Sequence, residues 1–160
     1  MTQIRAQQLQ RAAVITSDAA AIDAARHLAE QAKAGAAERD QQRIYPRELL
    51  DQFTQLGLGS ISVPRQFGGG GLSFGTVAEV FRLISASDPS LGQIPQNHFG
   101  LIQFILGEGS AQQQQRLLSA VVQGQRLGNG GPEKNSKHTR DVQAQLVSGP
   151  EGLRPSGEKL

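Results

Sequence analysis

The sequence predicts a mainly α fold, in which a layer of N-terminal helices is followed by short strands. Apolar residues recur at helical spacing as far as about residue 123, which indicates a layer of amphipathic helices. Further on, Val142, Ala144 and Leu146 alternate with glutamines, as in a half-buried strand. The change from a helical period to a strand period indicates two structural regions.

Composition excludes several classes of protein. The chain has 160 residues, of which 38% are hydrophobic, and it can bury a core built mainly on aliphatic side chains. The net charge of +2 is too small to indicate nucleic-acid binding, and the absence of cysteine excludes disulfides. No apolar run approaches the roughly 20 residues that span a bilayer. We therefore expect a cytoplasmic protein without nucleic-acid or membrane partners.

The chain divides into three expected regions: a mobile arm over residues 1–16, a helical domain over 17–123, and the truncated beginning of a β domain over 124–160. Ser17 is suited to cap the first helix. The helical pattern fades near residue 40, and Gly35 weakens this helix without clearly ending it.

A second helix is predicted to start with Pro46 at its first position and to stop at Gly57. Residues 61–64 then read as a short extended segment, since Pro64 keeps the residue before it out of the helical region. The four glycines of residues 68–71 match no phosphate-binding motif and favour a flexible turn.

Three more helices are predicted before residue 124. Ser73 caps the third, Asp88 and Pro89 start the fourth, and Ser110 caps the fifth. Pro95 is expected to bend the fourth helix.

Two features of the chain are candidates for function. His98 lies in the apolar fourth helix and is either a core histidine with satisfied hydrogen bonds or a functional ligand. Residues 127–138 contain Gly128, Gly130 and Gly131, whose backbone can approach a flat or anionic ligand closely. The same glycines also suit a plain domain junction, so the pattern alone does not establish a site. No metal site is predicted.

The order of short motifs resembles the N-terminal part of the acyl-CoA dehydrogenase superfamily of flavoproteins. The similarity extends over residues 17–160 and implies an N-terminal antiparallel helical bundle followed by the first strands of an incomplete β-barrel domain. It is carried by Tyr45-Pro46-Arg47-Glu48-Leu49-Leu50, Leu56-Gly57-Leu58, Val63-Pro64-Arg65-Gln66-Phe67-Gly68-Gly69, Ala86-Ser87-Asp88-Pro89-Ser90, Gly109-Ser110-Ala111-Gln112-Gln113 and Gly157-Glu158-Lys159.

The sequence departs from that family at its flavin-binding motif. Where acyl-CoA dehydrogenases carry Thr-Glu-Pro-x-x-Gly-Ser-Asp, residues 130–137 read Gly-Gly-Pro-Glu-Lys-Asn-Ser-Lys. The threonine that would bond the flavin is thus Gly130. Residues 94–99 and 128–135 are instead similar to the sulfur-acquisition branch, which contains dibenzothiophene monooxygenase-like enzymes.

This resemblance implies roles for particular residues. His98 would line the cavity for flavin and substrate as a catalytic residue, and Asn129 would bond the isoalloxazine edge. Gly130, Gly131 and Ser136 would complete the cofactor-binding set.

The implied function is oxygen transfer from reduced FMN and O₂ to a small organosulfur compound, with a flavin reductase as the source of reduced flavin. Two alternatives stay open: an FAD-dependent acyl-CoA dehydrogenase, and a non-catalytic helical remnant. The 160 residues alone are expected to be inactive and to bind flavin weakly, and a homo-oligomer is expected only for a full-length chain.

Overall fold

The computed structural model describes residues 12–134, 136–138 and 141–159. The described residues form seven α-helices and one two-stranded antiparallel sheet, with short 3₁₀ turns at Leu58–Ser60 and Arg65–Phe67. The chain divides into two compact units, Met1–Gly128 and Asn129–Leu160. In order the elements are α1 Asp18–Lys33, α2 Ala36–Gln42, α3 Arg47–Gln55, α4 Phe74–Ser87, α5 Pro89–Gln93, α6 Gln96–Glu108, α7 Ala111–Val122, β1 Gln145–Gly149 and β2 Gly152–Ser156. The predicted succession of helices followed by strands is confirmed.

Serine side chains begin three of the helices, as their positions predict. The Ser17 and Ser73 hydroxyls accept hydrogen bonds from the first turns of α1 and α4. Ser110 forms a reciprocal capping box with Gln113 at the start of α7. Apolar side chains from the whole helical unit form one core. Its largest fully buried side chains include Phe53, Leu28, Leu50, Leu58, Ile61, Ile84, Leu91, Ile102 and Leu118.

The first helix is shorter than predicted. Gly35 takes φ = +78°, a left-handed conformation that ends α1 and lets α2 begin at once. The break places Arg39 of α2 beside Asp88, whose carboxylate caps α5 through the Leu91 N–H. Arg39 Nη2 lies 2.8 Å from Asp88 Oδ2, so a buried ion pair ties α2 to the junction of α4 and α5.

The last five residues of the arm predicted over residues 1–16 lie against the helical unit. Ala12 and Ile15 are buried, and the Ala13 N–H donates to the Gln55 carbonyl at 3.0 Å. Burial of these apolar side chains against the helical unit holds the segment in place. The first eleven residues of the expected arm lie outside the described residues.

The turn expected at residues 68–71 is present, but its two central glycines are packed in the helical unit. Gly69 and Gly70 are buried, and the Gly70 N–H donates to the Ser60 carbonyl. A Cβ on Gly70 would stand 2.3 Å from the Ile15 carbonyl oxygen. Glycine is needed here because two backbone segments approach too closely for a side chain.

Two further local predictions, for residues 61–64 and for the fourth helix, differ from the structure. The segment expected to be extended, residues 61–64, begins with Ile61 in the right-handed helical region and continues the preceding turn. The predicted fourth helix is two helices, α5 and α6, since Pro95 breaks it instead of bending it. Among the described helices none is long and apolar enough to cross a membrane.

The second unit contains the β1–β2 hairpin, in register from Gln145 opposite Ser156 to Gly149 opposite Gly152. The strand expected to include Val142 and Ala144 starts only at Gln145. The reason is a competing acceptor, since the Ala144 N–H and its predecessor donate to the carboxylate of Glu133 instead of to a neighbouring strand.

Candidate functional site

His98 lies at the start of α6 and is buried, with 3% of its surface exposed. Its Nε2–H donates to the Gly59 carbonyl oxygen at 2.8 Å, and its Nδ1 accepts from the Leu127 N–H at 3.0 Å. An acceptor on one side and a donor on the other select the neutral tautomer with the proton on Nε2. Both ring nitrogens therefore have backbone partners inside the helical unit.

The surroundings of His98 keep it uncharged. Burial lowers the pKa of the imidazole below its ordinary value of 6.5, the hydrogen bond to Gly59 opposes this, and the positive charge of Arg126 adds to the lowering. A neutral imidazole at pH 7 has the basic lone pair on Nδ1, which the Leu127 N–H already occupies. This geometry favours the core role of His98, and its catalytic role stays a prediction.

The contact with Leu127 fixes where the chain leaves the helical unit. Next to it, Arg126 forms an ion pair with Asp51 of α3 at 3.0 Å. Arg126 and Leu127 are therefore bonded to helices α3 and α6, respectively, just before the glycine-dense segment, residues 128–131. The imidazole acts here as a bridge between α6, the turn after α3 and the residues that follow α7.

The glycine-dense segment is exposed and open. Gly128, Asn129, Gly130 and Gly131 are all exposed to solvent, and a Cβ placed on Gly128 or Gly131 would meet no atom of the described residues within 4 Å. A Cβ on Gly130 would meet the stem of Lys159, whose Cβ and Cγ would lie 3.5 and 3.8 Å away. A backbone without side chains and with free space beside it suits the close approach of a planar ring, so these residues fit a flavin.

Two of the predicted cofactor-binding residues share one cleft in the second unit. This cleft has a volume of about 210 Å³. The Ser136 hydroxyl donates to the Glu133 carbonyl oxygen at 3.0 Å and keeps acceptor capacity for a ligand. The residues lining the cleft are Gly131, Pro132, Glu133, Ser136, Asp141 and Val142.

Glu133 organises the second unit, and the sequence analysis did not single it out. Its buried carboxylate accepts from the Gln143 N–H at 2.6 Å, from the Ala144 N–H and from Lys159 Nζ at 2.6 Å. The bond from Lys159 is the largest cause of a pKa below the ordinary value, and the bond from Gln143 adds to it. The available signal was a glutamate two residues after a glycine pair, with a lysine near the end of the sequence.

The predicted site residues are therefore distributed over both units. His98 lies in the helical unit, whereas Asn129, Gly130, Gly131 and Ser136 lie in the second. Gly131 and Ser136 are brought together in one cleft. No group of three or more potential metal ligands comes together among the described residues.

The chain is similar to known proteins in both sequence and fold. Residues 17–125 match the family model described as acyl-CoA dehydrogenase, N-terminal domain. Dibenzothiophene monooxygenase of Rhodococcus erythropolis is 33% identical over 117 residues, which are 73% of this chain and 28% of that protein. Dibenzothiophene monooxygenase of Mycolicibacterium goodii is 31% identical over 120 residues, covering 75% of this chain and 29% of that protein.

A solved structure is also similar to this chain. FMN-bound TdsC from Paenibacillus sp. A11-2 superposes with a TM-score of 0.77 at 28% identity, over 87% of this chain and 35% of that one. This chain thus spans less than a third of the length of the curated relatives just described. Because the family model matches more than half of its residues, the chain belongs to the acyl-CoA dehydrogenase N-terminal domain family.

Proposed function

We propose that this chain supplies the N-terminal share of a flavin-dependent monooxygenase, which uses reduced FMN and O₂ to oxidise a small organosulfur compound. The observation that carries the proposal is the exposed backbone at Gly130 and Gly131. By the family resemblance, a threonine side chain would stand at Gly130. Dibenzothiophene monooxygenases and FMN-bound TdsC, which are similar to this chain, support the proposal.

The residues of the second unit have distinct roles in this proposal. The Gly130–Gly131 backbone lets the flavin ring approach without steric hindrance, and Asn129 bonds its polar edge. Ser136 offers an acceptor oxygen, because its own proton is donated to Glu133. When bound, the reduced flavin supplies the electrons and the activation of O₂, which are properties of the cofactor.

The proposal also keeps a catalytic role for His98, which lies in the helical unit. Its neutral imidazole holds its proton on Nε2, so any donation to a reacting group requires release from the Gly59 carbonyl. The cytoplasmic location and a flavin reductase that delivers reduced FMN are part of the same proposal. For TdsC, a complex with FMN and indole is known, which supports a small aromatic substrate.

An FAD-dependent acyl-CoA dehydrogenase is the second candidate, and membership of the family favours it. The two activities differ in their products. The test uses the protein expressed from the full open reading frame, with FMN, NADH, a flavin reductase, O₂ and dibenzothiophene. We expect sulfoxide or sulfone by mass spectrometry, and none when FMN is omitted. Absence of these products together with dehydrogenation of an acyl-CoA would refute the monooxygenase.

A pair of serine variants tests the site itself. Ser136→Ala removes a polar contact from the cleft and is expected to weaken FMN binding roughly fivefold, as the loss of one hydrogen bond of about 1 kcal/mol requires. Ser148→Ala in the exposed strand β1 is the matched control and is expected to leave FMN affinity unchanged. Equal affinities for the two variants would remove Ser136 from the site.

A further inference from the structure

Glu133 and Lys159 form a compact cross-link within the second unit. Lys159 Nζ lies 2.6 Å from Glu133 Oε1 and also donates to the Gly131 carbonyl oxygen at 3.3 Å. The same two residues are paired as an antiparallel bridge of the backbone. The Lys159 ammonium group therefore binds both the Glu133 carboxylate and the Gly131 carbonyl.

The rest of the Glu133 carboxylate is fixed to the residues that lead into β1. Oε2 accepts from the Gln143 N–H at 2.6 Å, and the Ala144 N–H lies 3.1 and 3.2 Å from the two oxygens. A buried carboxylate needs such donors, since an unpaired charge in this position is costly. The cross-link thus joins the glycine-dense segment to the beginning and the end of the hairpin region.

Lys159 also supports Gly130. Its Cβ and Cγ would lie 3.5 and 3.8 Å from a Cβ on that glycine, so the lysine stem lies beside one side of the exposed backbone. At Gly131, within the part of the chain that the structure describes, no atom would lie within 4 Å of a Cβ. The lysine therefore closes one side at Gly130 and leaves the next residue open.

We propose that Glu133 and Lys159 are positioning residues, which hold the Gly130–Gly131 backbone in the conformation that receives the flavin. This inference rests on the proposed function, because it assigns a ligand to that backbone. Neither residue needs to touch the cofactor. Their effect on binding is transmitted through the Gly131 carbonyl and the lysine stem.

The first readout needs no flavin. Backbone ¹⁵N relaxation of the 160-residue chain is measured at Gly130 and Gly131, where a rigid backbone gives an order parameter of about 0.85. Lys159→Met and Glu133→Gln are expected to reduce it below about 0.6 at both glycines. Lys159→Arg keeps the charge and the bond to Glu133, and is expected to restore most of the rigidity.

Lys134→Met is the matched control, because Lys134 forms an exposed ion pair with Glu158 at 3.0 Å and does not bind Gly131. It is expected to leave both glycines rigid. Unchanged order parameters in Lys159→Met, or mobile glycines in the unsubstituted chain, would overturn the inference.

The second readout is FMN affinity of the protein from the full open reading frame, measured by quenching of flavin fluorescence. Lys159→Met is expected to weaken FMN binding at least roughly fivefold, and Lys134→Met to leave it unchanged. Mobile glycines with unchanged affinity would refute the positioning role. Failure of the unsubstituted protein to bind any flavin would refute the proposed function, while the relaxation result would still decide whether the cross-link orders the glycines.

Discussion

Replacing His98 by alanine tests the interpretation that this imidazole holds the helical unit together. The substitution deletes the donor to Gly59 and the acceptor for Leu127, which are 2.8 and 3.0 Å from the ring nitrogens. Each backbone group left unsatisfied costs about 1–3 kcal/mol, and the deleted ring leaves a cavity. We expect His98→Ala to lower the free energy of unfolding by about 3–5 kcal/mol.

The measurement is urea unfolding followed by circular dichroism at a helical wavelength, so that the signal reports the helical unit. With a slope of about 2 kcal/mol per molar urea, the midpoint is expected to fall by roughly 2 M. His27→Ala is the matched control, because His27 is exposed on α1 and forms a hydrogen bond with Gln31 one turn away. Its expected change is within about 0.5 kcal/mol.

Two partial replacements separate the bonds. In His98→Asn the amide oxygen replaces Nδ1 as acceptor for Leu127, and in His98→Gln the amide nitrogen replaces Nε2 as donor to Gly59. Each is expected to recover about 1 kcal/mol relative to alanine. If His98→Ala is no more destabilising than His27→Ala, the two hydrogen bonds do not hold the unit and the reasoning is refuted.

The other predictions concern packing, charge and pH. Gly70→Ala is expected to destabilise the protein by about 1–3 kcal/mol, because its Cβ would collide with the Ile15 carbonyl. Gly100→Ala, in open space on α6, is expected to stabilise the protein by about 0.5–1 kcal/mol. Thermal unfolding of both variants checks this difference. Asp88→Ala is expected to lower the free energy of unfolding by about 3–5 kcal/mol, since it removes both the carboxylate partner of the largely buried Arg39 and the cap of α5. Urea unfolding beside Asp23→Ala, which removes an exposed ion pair, measures the difference. Because the pKa of His98 is lowered on folding, the unfolded chain gains a proton first as pH falls below about 6.5, so stability is full above that pH and declines below it. His98→Gln is expected to flatten that decline in stability measured from pH 8 to 5, and an unchanged pH profile would contradict the assignment.

The sequence contains enough local information to predict most of the helical unit. Ser17, Ser73 and Ser110 cap helices where their positions predict, because capping depends on a side chain and the backbone of the next turn. The sequence predicts a weakened helix at Gly35 and a bend at Pro95, whereas the structure has a break between two helices at each position. Whether a helix bends or breaks depends on the packing available to the two pieces, which is not a local property.

The site was predictable only in part. Residue types indicate the glycine-dense segment, the resemblance adds Ser136, and Gly131 and Ser136 line one cleft, while their role in cofactor binding stays a prediction. Glu133 was missed because its role depends on Lys159, which is distant in sequence and meets it only through the bridge at the end of the hairpin. Pairings of this kind follow from the register of strands, which no local motif specifies.

The sequence by itself determined the family, the helical layer and the change to strands, because periodicity, caps and short motifs are properties of neighbouring residues. Only the tertiary structure decided that His98 has both nitrogens occupied, that Gly69 and Gly70 are packed, and that Glu133 is the centre of the second unit. Each of these depends on backbone groups from distant parts of the chain that meet only after folding. The physical reason is that hydrogen-bond partners and close approaches are set by the position of the whole backbone, whereas a sequence pattern records which side chains are available to use them.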